Sequence, residues 1–233
     1  MEPTPETQGL INELERDGDS ATAVGLERMA AVTRAIVPNL VGLSLSLVEN
    51  NLTFTLVASD ELIAAQDAMQ YLDGGPCVDA VDREKVFHVR VADPLDEGVW
   101  QFYAQATAAA GIASTLSLPI FDDGRPIGGV NLYASTPDAF EGQVEALARA
   151  LGSSAENAIK NADLQFSTRL DAAAADSRLA EFDDVNHAIG VVMAAHGVDS
   201  ETARSQIREA ALRAGISEHG AARTVAQFLL SDR

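Results

Sequence analysis

The sequence of 233 residues contains a single cysteine, and this scarcity excludes two kinds of small protein. Cys77 alone cannot build a disulfide scaffold or a cysteine-rich zinc site. The opening residues, MEPTPETQ, lack the basic start and apolar run of a secretory signal, so we expect none. No apolar run approaches the roughly 18–20 residues needed to cross a bilayer. We therefore expect a cytoplasmic protein without a membrane partner.

Positive charge is also scarce, with 35 Asp and Glu against 16 Lys and Arg and a net charge of −19. Such a balance argues at first against a nucleic-acid partner, because affinity for phosphate depends on Lys and Arg. The acidity is unevenly distributed. Residues 1–175 hold 26 acidic and 10 basic residues (−16), whereas residues 176–233 hold 9 and 6 (−3). The charge therefore does not exclude RNA, but it limits the affinity that electrostatics supplies.

The sequence lacks the motifs of the common enzyme classes. There is no GxxxxGK[ST], GxGxxG, HExxH or GxSxG pattern. Cys77 lies in a glycine-proline loop without a nearby His, Lys or second Cys, which favours a buried, inert thiol. We expect no enzyme activity, no metal site and no cofactor. The histidines, which are not spaced as a metal set, are His88, His187, His196 and His219.

What is present begins as an alternation of helices and strands. Residues 1–19 are polar and predict a flexible tail, and a helix that Ser20 can cap ends before Pro38. From residue 41 to 47, apolar residues alternate with glycine and serine, as in a half-buried strand. Asn50 and Asn51 favour a tight turn into a return strand, which completes a hairpin.

Further segments extend this hairpin into an α+β domain. Hairpins at both ends with helices between them indicate an antiparallel sheet flanked by helices, over residues 20–142. The predicted elements are a helix at 60–72, a Gly-Gly-Pro break at 74–76, a strand at 86–91, a helix at 97–110, and strands at 112–120 and 127–134.

Residues 143–177 predict a long connecting coiled-coil helix. Small and apolar residues recur every three or four positions from Val144 to Leu170, and residues 138–196 contain no proline. The alternative is that this face packs on the protein's own sheet. We expect the first half to do so and the second half to need a partner, which predicts a homodimer.

Three shorter helices close the chain, over residues 178–233. The first ends at His196-Gly197, and Asp199 or Ser200 can cap the second. The second ends at Gly215, and Ser217 can cap the third.

A pocket on the sheet face is the candidate for ligand binding. Aromatic, small and thiol side chains near the Gly-Gly-Pro loop could form an apolar cleft with few polar groups. The alternative for each residue is core packing or turn chemistry. The candidates are Gly75, Cys77, Trp100, Tyr103, Ser114 and Tyr133, with Gly74, Pro76 and Gly111 beside them.

Three segments of the first domain resemble the GAF fold of bacterial regulators. They are the stretch from Asp67 through Gln70 to the GGPC loop, the segment GIASTLSLP at 111–119 and the segment IGGVNLY at 127–133. The resemblance implies a domain that senses a signal through an unknown small-molecule ligand.

The closing helices resemble the ANTAR domain, a three-helix RNA-binding module. The match comprises HAIGVVM at 187–193, His196-Gly197, the helix from Ala203 to Ala210, and Val225-Ala226. Proteins of this family bind paired stem-loops in nascent messenger RNA and so prevent termination. The resemblance implies a signal-responsive transcription antiterminator whose RNA-binding residues are His187, Gly190, His196, Arg204, Arg208, Arg213 and Arg223.

One position departs from that family, which usually has Ala-Lys-Gly where this chain has Ala188-Ile189-Gly190. Loss of the lysine removes a charge that can bind phosphate. Arg204 and Arg208 lie on one helix face and could form a basic stripe, or be ordinary solvated charges. The alternative function is a ligand-sensing dimerisation protein whose C-terminal helices have lost RNA binding and contact protein partners.

Overall fold

The computed structural model describes residues 25–90, 100–160, 162 and 181–226. The predicted tail at 1–19 and the second half of the connecting helix, from residue 163 to 177, lie outside the described residues. The domain boundaries predicted above therefore stay predictions.

A five-stranded antiparallel sheet organises the first part of the chain, in the order β2-β1-β5-β4-β3. Asn50 and Asn51 both adopt positive φ, 51° and 63°, in the turn between the first two strands. This left-handed pair matches the twist of a tight hairpin and confirms the predicted turn. The strands are β1 (Leu40–Glu49), β2 (Leu52–Ala58), β3 (Phe87–Arg90), β4 (Ser114–Asp122) and β5 (Arg125–Ala134).

Helices lie on both faces of the sheet and continue beyond it. The helix that follows Gly75 was not predicted, because the Gly-Gly-Pro segment reads as a break; Pro76 is tolerated in a first helical turn, where its missing N–H is not needed. The helices are α1 (residues 25–36), α2 (Glu61–Asp73), α3 (Pro76–Asp82), α4 (Gln101–Ala109), α5 (Val144–Lys160), α6 (Glu181–His196), α7 (Ser200–Ala214) and α8 (Glu218–Ala226).

One face of the sheet is apolar and is covered by α1 and α5. Leu43 and Leu45 of β1 and Leu132 of β5 belong to a buried cluster with residues of both helices. The buried face of α5 consists of Leu147, Leu151, Ala155 and Ile159. The first half of the predicted connecting helix therefore packs on its own sheet, as we expected.

The opposite face of the sheet is polar and is covered by α2, α3 and α4. Ser44 and Ser46 have 0% exposure, although their alternation with leucine predicted a strand with one solvated face. That prediction was wrong, because helices cover this face and its hydroxyl groups are hydrogen-bonded within the protein. The buried polar face is the main feature that the alternation alone did not reveal.

The C-terminal helices α6, α7 and α8 end and begin largely as predicted. Asp199 caps α7 by accepting a hydrogen bond from the Thr202 amide at 2.8 Å, and the Ser217 hydroxyl accepts from the Gly220 amide at 3.0 Å. Gly215 ends α7 in the left-handed conformation, with φ of 69°. None of the described helices is long and apolar enough to span a bilayer.

The C-terminal helices pack directly on α2 of the sheet domain. Ala68 and Met69 of α2 belong to the same buried cluster as Ala203, Ile207 and Ala211 of α7. Many members of this cluster are alanines on both sides, and such small side chains let helices approach closely. The described residues therefore form one body with a core that continues from the sheet domain into the C-terminal helices.

Candidate functional site

A buried carboxylate lies at the centre of the polar sheet face. Asp67 of α2 has 0% exposure. Its Oδ1 accepts hydrogen bonds from the Tyr133 hydroxyl at 2.6 Å and from Asn131 Nδ2 at 3.2 Å. Its Oδ2 accepts from the Thr55 hydroxyl at 2.8 Å. Strands β2 and β5 thus supply the donors, and α2 supplies the acceptor.

Two neighbours on α2 extend this arrangement. Gln70 Nε2 donates to Asp67 Oδ1 at 3.3 Å and to the Tyr133 hydroxyl at 3.1 Å. The Tyr71 hydroxyl lies 2.9 Å from Thr55 Oγ1. We call these six residues the Asp67 network: Thr55, Asp67, Gln70, Tyr71, Asn131 and Tyr133.

The charge state of Asp67 depends on two opposed effects. Burial raises the pKa of this carboxyl above its ordinary value of 3.8, since the charged form loses its hydration. Hydrogen bonds from Tyr133, Ser44, Thr55 and Asn131 act in the opposite direction, because they stabilise the carboxylate. The pKa of Tyr133 is itself raised by burial and by the nearby carboxylate, which keeps its hydroxyl a donor. The site is therefore an acceptor surrounded by neutral donors.

Gln70 also connects the network to α3. Its Oε1 accepts a hydrogen bond from the Cys77 amide at 2.7 Å, in the first turn of that helix. A Cβ at Gly75 would lie 2.3 Å from Gln70 Cγ, so a larger residue would displace the glutamine. Gly75 is thus required for the close approach of α3 to α2.

Cys77 is buried beside the network. Its Sγ lies 3.4 Å from Ser46 Oγ, and burial raises the pKa of the thiol to about 12. A thiol with such a pKa stays protonated, so it is a poor nucleophile and metal ligand. Across the described residues, no group of three or more His, Cys, Asp or Glu side chains is placed to hold a metal ion.

Four of the six predicted pocket residues meet on this polar face. Gly75, Cys77 and Tyr133 belong to or adjoin the Asp67 network, and the Tyr103 hydroxyl lies 2.5 Å from Thr115 Oγ1 beside it. All four are buried. The face is more polar than the apolar cleft that the sequence predicted.

Of the other two predicted pocket residues, Trp100 packs against the buried cluster that contains Tyr103 and Tyr133, whereas Ser114 lies apart from it. Trp100 is half-buried at the start of α4 and contacts Phe87 edge-on, with ring centroids 5.9 Å apart. Ser114 donates to the Thr136 carbonyl at 2.7 Å. In β4 its side chain lies on the same face as that of Leu116, which belongs to the apolar cluster, so Ser114 is on the opposite face of the sheet from the Asp67 network.

Sequence reasoning missed the centre of the site. Asp67 and Gln70 were noticed only as part of a family-like segment, and Thr55 and Asn131 were not singled out. One signal was available: small polar residues occupy the alternate positions of three neighbouring strands. Such a pattern is typical of a solvated face, and the sequence did not show that helices cover it.

Among the predicted RNA-binding residues, Arg213 lies against the sheet domain. Its side chain is 9% exposed, and its Nε donates to the Thr53 carbonyl at 3.0 Å. The guanidinium carbon lies 4.3 Å from the centroid of the Tyr71 ring. Burial lowers the pKa of the guanidinium, although Tyr71 and Glu209 act in the opposite direction. In this arrangement Arg213 does not face solvent.

His196 also contacts the sheet domain. Its ring stacks on Phe102 with centroids 5.5 Å apart, and its Nε2 lies 3.2 Å from Asp73 Oδ1. Its Nδ1 lies 2.9 Å from Gln206 Oε1. The arrangement therefore directs His196 toward the end of α2 rather than toward an open surface.

Arg204 and Arg208 lie side by side on the surface of α7. Both contact Glu218 of α8, at Nε–O distances of 2.8 and 3.3 Å, and their side chains are 48% and 60% exposed. They border an open surface depression with Glu201, Thr202 and Ser205. One carboxylate thus neutralises part of a two-arginine stripe.

The remaining positions are dispersed around α6 and α8. His187 and Gly190 are exposed on α6, and Arg223 Nη2 lies 3.8 Å from Glu61 of α2. Ile189 is half-buried and packs on the cluster shared with the sheet domain. The seven predicted residues therefore do not form one continuous surface here.

Comparison with known proteins identifies the first part of the chain. A family model described as GAF domain matches residues 26–160, more than half of the sequence. Among solved structures, a type II free methionine-R-sulfoxide reductase from Thermoplasma acidophilum is similar at 14% identity, with a TM-score of 0.41, covering 60% of this chain and 94% of that one. The GAF domain of a two-component sensor histidine kinase from Bacillus halodurans is similar at 14% identity and a TM-score of 0.40, covering 58% and 94%. Comparison with curated proteins gave no match. From the match of the family model, this chain belongs to the GAF domain family.

Proposed function

We propose that this protein is a cytoplasmic, signal-responsive RNA-binding regulator that acts as a transcription antiterminator. Membership of the GAF family implies a domain that senses a signal or a small molecule. The output, in this proposal, is the binding of paired stem-loops in nascent messenger RNA by the C-terminal helices. The protein itself has no catalytic activity in this scheme.

The observation that carries the proposal is the pair Arg204 and Arg208. Their side chains project from one face of α7, four residues apart, beside an open depression. A planar guanidinium can bind a phosphate with two hydrogen bonds, and Glu218 holds both groups in place until RNA replaces it. The exposed Gly190 on α6 supports the proposal further, since a glycine permits close approach of a partner.

A homodimer is part of the proposal, because paired stem-loops call for paired binding modules. The face of α5 from Leu147 to Ile159 is buried on the sheet of its own chain. A pairing contact would therefore have to come from the later part of the predicted connecting helix, up to residue 177. Light scattering of the full chain measures this directly, and a mass of one chain at micromolar concentration would contradict it.

A second candidate function is favoured by His196 and Arg213. Both residues make their contacts with the sheet domain, and Ile189 packs in the shared cluster instead of offering a charge. These observations support the alternative in which the C-terminal helices contact protein and have lost RNA binding.

The decisive experiment measures binding to paired stem-loop RNA at several salt concentrations. The double variant Arg204→Ala/Arg208→Ala should weaken binding and reduce the salt slope by about 1.5, the value for two lost phosphate contacts. The matched control is Arg28→Ala/Arg34→Ala, which removes the same charge from exposed positions on α1. If unmodified protein binds these RNAs no better than scrambled ones at low salt, the RNA proposal fails.

The variant Ile189→Lys separates the two candidates. Restoring the family lysine should raise RNA affinity by about fivefold to tenfold if the helices approach phosphate, since one such contact is worth roughly that factor. Affinity unchanged from that of unmodified protein, with helicity retained, would favour a protein partner.

A further inference from the structure

We infer that docking of the C-terminal helices on the GAF domain is a reversible state coupled to the Asp67 network through the contact of Arg213 with Tyr71. The inference goes beyond the proposed function, because it concerns how the GAF interior controls these helices whatever they bind.

A continuous chain of contacts connects the two parts. Asp67 Oδ2 accepts a hydrogen bond from Thr55 Oγ1 at 2.8 Å, and Thr55 Oγ1 lies 2.9 Å from the Tyr71 hydroxyl. The ring of Tyr71 lies under the guanidinium of Arg213, and its carbonyl accepts from Arg213 Nη1 at 3.5 Å. One residue, Tyr71, therefore contacts the network with its hydroxyl and the docked helix with its ring and backbone.

The chemistry of Arg213 makes this contact reversible. Burying a guanidinium costs hydration, and the cost is offset here by the Thr53 and Tyr71 carbonyls and by the aromatic ring. When the helices separate, water replaces these partners, so the net contribution of this contact to docking is a small difference between large opposed effects. A change in the position of Tyr71 alters that contribution, and the apolar cluster between α2 and the C-terminal helices contributes separately.

A second contact reinforces docking at the same end of α2. His196 of α6 stacks on Phe102 and approaches Asp73, whose other oxygen accepts from the Phe102 amide at 3.3 Å. At the opposite end, Glu61 and Arg223 are both exposed, with 3.8 Å between their charged atoms, and contribute little. The controlling contacts are thus concentrated at the C-terminal half of α2.

A change at Asp67 can therefore affect the docking of the C-terminal helices. A ligand or proton that changes the hydrogen bonds of Asp67 changes those of Thr55, and so the position of the Tyr71 hydroxyl. Weaker docking would expose His196 and Arg213 to solvent. Stronger docking would keep both covered.

Undocking can be measured by the reactivity of an introduced thiol. Ala65 is buried in the shared cluster and lies about 200° around α2 from Asp67, so it faces away from the sheet. With Ala65→Cys, the thiol is covered by the shared cluster, so a thiol reagent reacts faster when the C-terminal helices separate from α2. The natural Cys77, buried where α3 faces the sheet, is an internal control for opening of the GAF domain.

Three substitutions in this background test the coupling in the full chain. Tyr71→Phe keeps the ring under Arg213 but removes the hydroxyl, and Thr55→Val removes the bridging hydroxyl. Each should raise the labelling rate at position 65 by about fivefold, the factor for one lost buried hydrogen bond. Arg213→Met, which keeps much of the side-chain volume, should raise it by at least about tenfold. Asn186→Ala, an exposed change on the docked helix α6, should leave the rate unchanged.

The combination of Tyr71→Phe with Arg213→Met identifies the route. If the contact of Arg213 with Tyr71 carries the coupling, Tyr71→Phe no longer raises the labelling rate at position 65 once Arg213 is replaced. Labelling in Tyr71→Phe and Thr55→Val at the unmodified rate overturns the coupling, and an independent effect of Tyr71→Phe overturns the route through Arg213. If Arg213→Met also exposes Cys77, that variant has unfolded. The labelling rates of Tyr71→Phe and Thr55→Val then test the coupling by themselves.

Discussion

At the scale of single residues, the protein depends on an acidic side chain in its interior. Asp67 accepts hydrogen bonds from Thr55, Gln70, Asn131 and Tyr133, which is close to the full capacity of a carboxylate. Burial of such a group is tolerated because all its partners are donors. The identity of this one residue therefore determines the chemistry of the polar sheet face.

Asp67→Asn tests that dependence. The new amide group would direct N–H donors at other donors, so we expect a loss of about 1–3 kcal/mol in the free energy of unfolding. Asp138→Asn is the control, since the Asp138 side chain is 64% exposed and pairs with the exposed Arg90, and it should change stability by less than about 0.5 kcal/mol. Urea unfolding of both variants gives the comparison, and equal losses would contradict this prediction.

The difference in stability between the unmodified protein and Asp67→Asn should also depend on pH. Burial raises the folded-state pKa of Asp67, so its contribution to stability is fully present below the unfolded value of 3.8 and is lost as pH rises through the folded-state pKa. The stability gap between the two proteins should therefore widen as the pH is lowered from neutral toward that value. A gap that narrows on acidification would show that hydrogen bonding outweighs burial.

Glycine at position 75 is required by packing. The Cβ introduced by Gly75→Ala would lie 2.3 Å from Gln70 Cγ, so Gln70 must move and its bond to the Cys77 amide is lost. We expect a loss of about 1–3 kcal/mol in calorimetry or urea unfolding. Gly152→Ala is the matched control, because no atom lies within 4 Å of the new Cβ inside α5, and it should stabilise by about 0.5–1 kcal/mol.

At the scale of elements, α2 carries both of the protein's important surfaces. Asp67, Gln70 and Tyr71 lie toward the sheet, whereas Ala65 and Met69 belong to the cluster shared with the C-terminal helices. A helix with two buried faces has little freedom to move on one side without affecting the other. The element is thus placed to pass a change from the GAF interior to its neighbours.

Helix α6 contains a glycine that packing does not explain. A Cβ at Gly190 would meet no atom within 4 Å, and the residue is exposed in the middle of the helix. Gly190→Ala should therefore stabilise the protein by about 0.5–1 kcal/mol. If RNA approaches here, the same variant binds stem-loop RNA several-fold more weakly. Unchanged affinity in a filter-binding assay would remove Gly190 from the proposed surface.

At the scale of the whole molecule, the GAF domain and the C-terminal helices share a core. Met69 of α2 has 0% exposure and lies in the same cluster as Val192 and Ile207. Because this surface is buried only when the two parts are together, each part stabilises the other.

We therefore expect a single cooperative unfolding transition. Trp100, the one tryptophan, reports the GAF domain by fluorescence, and circular dichroism reports all helices. Met69→Ala should shift both signals together, by about 2–4 kcal/mol. Met193→Ala, at a position 36% exposed, should change stability by less than about 0.5 kcal/mol. Two separate transitions in the unmodified protein would contradict a shared core.

The sequence by itself determined the local structure of this protein. Asn50-Asn51 determined the first hairpin, Asp199 and Ser217 the starts of two helices, and the apolar positions from Leu147 to Ile159 the buried face of α5. These features depend on backbone preferences and on periodicities within one element, which neighbouring residues reveal.

Only the tertiary structure decided which polar residues are inside. Ser44, Thr55 and Asn131 look like the solvated side of strands until α2, α3 and α4 cover them. In the same way Arg213, predicted to face RNA, is buried on Tyr71, 142 residues away in the chain. Burial and hydrogen bonding of a polar side chain depend on elements distant in sequence, so the alternation of residues within one strand does not reveal them.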